Sequence, residues 1–127
     1  MFVLDTNILI YYSRRDENVT KDVDGWLSDG ELLAVSAIVE GELLSWPEIS
    51  SHEISVIEDI LATLIVVPVD SSVARVAAAF RRNYRVALLD GMIAATAFLR
   101  NATLVTRNIK DWGSEEARLG DKSAGKK

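Results

Sequence analysis

Apolar and polar positions along the chain switch between two rhythms. Short, nearly continuous apolar runs at residues 2–4, 32–35, 64–67 and 103–105 read as strands. Between them, apolar residues recur at helical spacing. A short helix is expected through residues 8–12, and a second from Thr20, a plausible cap, to Leu27, stopping at Gly30. Ser36 can cap a helix that carries Glu40 and Glu42 and ends at Trp46-Pro47, because the residue before proline resists the α conformation. Ser50 and Glu53 have the spacing of a capping box, opening a helix through Ile54, Ile57 and Leu61. Asp70 caps a helix with Val73, Val76, Ala77 and Phe80 at helical spacing. A last helix begins near Asp90 and is apolar on nearly every side through Phe98, so it is expected to be the most buried. Strands alternating with helices predict a parallel α/β sheet.

Three of these elements place an acid at an apolar edge: Asp5 after the first strand, Glu40 and Glu42 beside Ile38, Val39 and Leu43, and Asp90 between Leu89 and Met92. A carboxylate against buried hydrophobic surface is costly unless a cation compensates it. Three such acids spread over the whole chain suggest one shared partner, a divalent metal ion. In open parallel sheets the ligand crevice lies beyond the carboxyl ends of the strands. Asp5 and residues 106–111 each follow a strand, and Asp90 opens a helix that can face the same crevice. At about 100° per residue, Glu42 falls roughly 40° from the centre of its helix's apolar face and Glu40 roughly 120° away. Glu42 is therefore the inward acid and Glu40 the solvated one, and Gly41 between them permits close packing. In isolation an Asp at such a place is an ordinary N-cap, and Asp111 a solvated loop acid. The convergence of the elements on one crevice favours a site.

Composition narrows the function. The 127 residues are enough for one domain with a real core, and 49% hydrophobic with 26% charged residues fits a soluble globular protein. A net charge of −5 is a poor footprint for a passive nucleic-acid binder, so any RNA must be held by local cations. Arg14 and Arg15 after the first helix and Arg107 and Lys110 after the last strand are the candidates for its phosphates, with Arg81, Arg82 and Arg85 as a further basic run. The absence of cysteine excludes disulfides and a thiolate metal site. No apolar run is long enough for a bilayer, and no basic region precedes the first strand, so the chain is expected to be cytoplasmic, with no membrane partner. His52 reads as a first-turn helix residue rather than a catalyst. Trp26, Trp46 and Trp112 read as core or interface residues rather than base-stacking platforms, with Trp46 beside Pro47 suited to a partner-binding face. Residues 113–127 are polar and lysine-terminated, which predicts a mobile tail behind a domain of residues 1–112.

Four ordered segments then resemble the motifs of a PIN domain: Leu4-Asp5-Thr6-Asn7, Ser36 to Leu43, Leu89 to Ala97, and Leu104 to Asn108. The compact size and the Ala94-Ala95-Thr96-Ala97 run resemble the VapC-type toxins of prokaryotic toxin–antitoxin pairs. The resemblance implies a three-layer α/β/α sandwich around a central, mainly parallel sheet of four or five strands, and a metal-dependent endoribonuclease. By position Asp5, Glu42 and Asp90 match the acidic ligands, while Asn108 stands where the family often has an acid and Asp111 offers a carboxylate three residues on. Thr6, Asn7 and Thr106 match polar residues that support the acids. An all-oxygen donor set suits Mg²⁺ or Mn²⁺ over zinc. The family further implies an RNA substrate, a cognate antitoxin protein that blocks the site, and a homodimer. Two other readings remain open from the residues. One is a non-catalytic module of the same fold that binds nucleic acid or protein. The other is phosphoryl transfer on Asp5, against which stand Asn7 in place of a second acid and the absence of paired acids near the first strand.

Overall fold

The structure is a computed structural model and describes residues 1–106. Ten elements follow in order: β1 (Phe2–Leu4), α1 (Thr6–Ser13), α2 (Glu17–Ser28), β2 (Leu33–Ser36), α3 (Ala37–Leu44), α4 (Ser51–Leu61), β3 (Ile65–Val67), α5 (Ser71–Tyr84), α6 (Leu88–Leu99) and β4 (Thr103–Val105). The expectations for Arg107, Asn108, Lys110 and Asp111, for a fifth strand, and for a domain end at residue 112 with a mobile tail lie outside the described residues.

The four strands form one parallel sheet in the order β3-β2-β1-β4. Every residue of β1 and β2 is buried, as continuous apolar strands require when helices cover both faces. The α6 helix packs on β1, β2 and β4, α3 on β2 and β3, and Trp26 of α2 meets the Phe2 ring at 4.6 Å between centroids. Between α1 and α2 a Tyr12 hydroxyl donates to Asp24 at 2.6 Å. Burial first, then this bond and the Asp24 charge, push the phenol up to about 12. Among the described residues no helix is long and apolar enough to cross a membrane.

The capping residues at Ser36, Ser50 and Asp70 act as expected, and the Ser50–Glu53 capping box is complete. Ser36 ends β2 and caps α3 at once, which shifts the second strand one residue later than its apolar run suggested. Two helix starts differ from expectation. The second helix is capped by Asp16, whose carboxylate accepts from the Val19 amide at 3.2 Å, and begins at Glu17 rather than at Thr20. The left-handed Arg15 (φ 62°) turns the chain there, and Glu17 in the first turn complements the helix dipole. Thr20 lies inside the helix, its hydroxyl buried without a hydrogen-bond partner. The last helix begins at Leu88, so Asp90 sits within its first turn. This helix does bury more residues than any other described helix, six in its middle, while its ends leave Leu88, Leu89, Phe98 and Leu99 exposed.

Close packing falls at a different glycine from the one expected. A Cβ on Gly41 would meet nothing within 4 Å, whereas one on Gly91 would stand 3.1 Å from the Ala77 carbonyl oxygen of α5. Gly91, not Gly41, lets two helices approach, and it does so next to Asp90. Gly41 is thus an exposed glycine in a helix interior, and Gly41→Ala is expected to raise stability by about 0.5–1 kcal/mol, measured as the urea midpoint at constant slope.

Candidate active site

The strand registers bring three chain positions to one edge of the sheet. Val3 pairs with Ala34 and Leu4 with Val105, which sets Asp5 level with Ser36 on one side and Thr106 on the other. The Asp5 amide donates to the Val105 carbonyl at 3.1 Å, so the strand pairing carries through to the acid itself. Asp5 then leaves the sheet in an extended conformation and caps α1, its Oδ1 accepting from the Ile8 amide at 3.0 Å. At 5% exposure it is the one buried acid among the described residues. Its isolated role as an N-cap and its place at the sheet edge coexist in one side chain.

A pocket of about 240 Å³ opens beside it, lined by Asp5, Thr6 and Asn7 from the start of α1, Glu42 and Trp46 from α3 and its end, and Asp90 from the first turn of α6. Ile10 and Ile93 complete an apolar side. The three acids come from three elements far apart in sequence and face one space. Glu42 is fixed there by Thr6, whose hydroxyl donates to its Oε1 at 2.5 Å across 36 positions of sequence. Glu40 is not part of the lining, in keeping with the helical angles, but it is partly buried, as Glu42 is, rather than solvated. Asp5 and Asp90 both stand at helix N-termini, where the partial positive charge of unpaired amides favours a carboxylate. Thr106 is buried at the end of β4 beside Asp5 and outside the lining.

The donor set of this pocket is oxygen throughout: three carboxylates, an amide and a hydroxyl. That chemistry fits Mg²⁺ or Mn²⁺ and disfavours soft ions. Among the described residues no group of three His, Cys, Asp or Glu side chains stands close enough together to hold a metal ion on its own. An open arrangement suits Mg²⁺, which keeps several waters and takes only one or two carboxylates.

Among the described residues, the expected cation Arg14 meets a residue of the lining. Its exposed guanidinium stands 5.6 Å from the centroid of the Trp46 ring. It also faces the start of α4. There the Glu53 carboxyl is held below the usual carboxylate range, first by the Ser50 amide, then by the Ser50 hydroxyl, and to a smaller extent by Arg14. Arg15 is exposed and takes up the left-handed turn before α2. Arg81 donates to the Val86 carbonyl at 3.1 Å, a tie between the end of α5 and the loop before α6. Ile10, Trp46 and Ile93 were not expected in the site. The spacing of Trp46, four residues after Glu42, was the signal that could have placed it there.

Comparison with known proteins agrees with this architecture. Residues 2–110 match the PIN domain family. Ribonuclease VapC19 of Mycobacterium tuberculosis is 27% identical over 115 residues, covering 87% of this chain and 90% of that protein. A toxin–antitoxin complex from Klebsiella pneumoniae superposes with a TM-score of 0.79 at 27% identity, covering 91% of this chain and 92% of its own. DNA-bound VapBC from Salmonella typhimurium gives 0.73 at 26% identity, with 87% and 88% covered. FitAcB from Neisseria gonorrhoeae gives 0.71 at 26% identity, with 95% and 96% covered. A family match that runs from β1 past the end of β4, on a parallel sheet with acids at its carboxyl edge, makes this chain a member of the PIN domain family.

Proposed function

We propose that this chain is a divalent-metal-dependent endoribonuclease and the toxin of a toxin–antitoxin pair, with Asp5, Glu42 and Asp90 as its metal-holding acids. The observation that carries the reading is their meeting in one oxygen-lined pocket at the carboxyl edge of the sheet. The similarity to a ribonuclease and to toxin–antitoxin complexes supports the substrate class and the cognate antitoxin.

The chain's own residues prepare the site in specific ways. The α1 cap fixes the Asp5 carboxylate before any ligand arrives. Thr6 orients Glu42, and the packing of Gly91 on α5 sets the height of Asp90. Ile10 and Ile93 exclude water from one side, which strengthens every electrostatic interaction in the pocket. A bound Mg²⁺ or Mn²⁺ supplies positive charge that acidifies water and offsets charge developing on the phosphodiester. Asn108 or Asp111 fills the fourth position, and Asn7 and Thr106 support the acids by hydrogen bonding. Arg14, Arg15, Arg107 and Lys110 hold RNA phosphates against the net negative charge of the chain. The protein acts in the cytoplasm as a homodimer.

Expression in a bacterial host tests this reading. The wild-type chain is expected to arrest growth and to generate new RNA 5′ ends, and Asp90→Asn to do neither. Arrest by both proteins without new RNA ends would favour the non-catalytic binding module instead.

A further inference from the structure

Trp46 is the single aromatic side chain in the pocket lining among the described residues, and a metal site has no use for it. An indole offers no oxygen or nitrogen lone pair to a cation. Nor is it a core residue: it is half-buried, so part of a large apolar ring stays in water beside three carboxylates. Its backbone has little freedom. Pro47 restricts it to extended conformations, and its carbonyl accepts from the Ile49 amide at 3.3 Å in a turn. Arg14 adds a fixed-charge fork over one face of the ring, 5.6 Å from its centroid, which leaves the other face to a base, on a chain whose net charge otherwise repels a polyanion. A rigid aromatic surface with an arginine next to it is how proteins hold single-stranded nucleic acid: the base stacks, the phosphate is paired.

We propose that Trp46 is the stacking platform for a nucleobase beside the scissile phosphate and that Arg14 pairs with a neighbouring phosphate, so that this pair selects unpaired RNA while the acids cut it. The proposal rests on the ribonuclease reading of the pocket. Because stacking tolerates any base, the platform favours exposed bases over paired ones rather than one base over another.

The test uses the full chain, a short single-stranded RNA that it cleaves, and copies of that RNA with an abasic nucleotide moved along one position at a time. Binding is measured on Asp90→Asn protein, and cleavage kinetics on protein with Asp90 intact. Trp46→Leu is expected to raise Kd and KM between roughly fivefold and 150-fold, the equivalent of about 1–3 kcal/mol for one stacked base, with kcat changed only a few-fold. At one position the abasic strand binds the parent more weakly than intact RNA by a similar factor, and Trp46→Leu binds the two alike. Trp46→Phe, which keeps a stacking face, retains the discrimination and serves as the informative variant if Trp46→Leu fails to fold. Equal weakening of intact and abasic strands, or a fall in kcat alone, overturns the platform. A chain that cuts RNA through Asp90 but ignores the missing base loses the platform and keeps the ribonuclease reading. RNA cleavage that survives Asp90→Asn overturns both.

Discussion

Asp5→Asn lowers RNA cleavage on the order of a hundred- to a thousandfold while leaving the fold intact. The two halves of that result have separate causes in one side chain. The Asp5 Oδ1 caps α1 by accepting from the Ile8 amide, and Asn is as good an N-cap as Asp, so the helix start survives. What Asn removes is negative charge, in a pocket where two other acids already face the same space. Losing a preorganised electrostatic group at a reacting centre commonly costs a hundred- to a thousandfold in kcat. Asp5→Ala is the control with the opposite balance: it removes charge and cap together, and lowers stability by about 1 kcal/mol as well. A thermal or urea transition for Asp5→Asn that matches wild type, beside an activity that does not, separates chemistry from folding.

Chelation gives the second large effect. With EDTA in excess, cleavage is expected to fall to background, and Mn²⁺ or Mg²⁺ to restore it, with Zn²⁺ the poorer substitute because the lining lacks Cys and His. The acids are also expected to repel one another in the metal-free protein. Added Mn²⁺ therefore raises the melting temperature of wild type in a concentration-dependent way, since a ligand that binds only the folded state stabilises it by mass action. The same addition shifts Asp5→Asn less. Full cleavage in EDTA would remove the metal from the mechanism.

The sequence showed the sheet and most of the acidic pocket for a physical reason. Strands buried on both faces leave continuous apolar runs, and an acid at the end of such a run has few places to go other than a crevice. The helical angle that separates Glu42 from Glu40 is a property of three adjacent residues, so it too is legible locally. Helix starts were less so. Asp16 and Thr20 are both acceptable caps by residue type. What decides between them is the left-handed turn at Arg15, which the apolar pattern does not encode. Asp90 falls inside the first turn rather than at the opening of its helix, which begins at Leu88 after Ala87 with no side-chain cap to announce it. The Thr6–Glu42 bond and the Arg14–Trp46 contact join residues that only the fold brings together. Trp46 reads as an interface residue from sequence because its neighbour Pro47 is visible there and its pocket is not.

The central claim is that Asp5, Glu42 and Asp90 form one metal-dependent site that cuts RNA. Its most direct test is cleavage of a defined set of RNAs by purified wild type and Asp90→Asn, each with and without Mn²⁺, read as product ends on a sequencing gel. The expected result is cleavage in one lane of the four conditions, wild type with Mn²⁺. Equal cleavage by both proteins, or cleavage by wild type that ignores the metal, would contradict it.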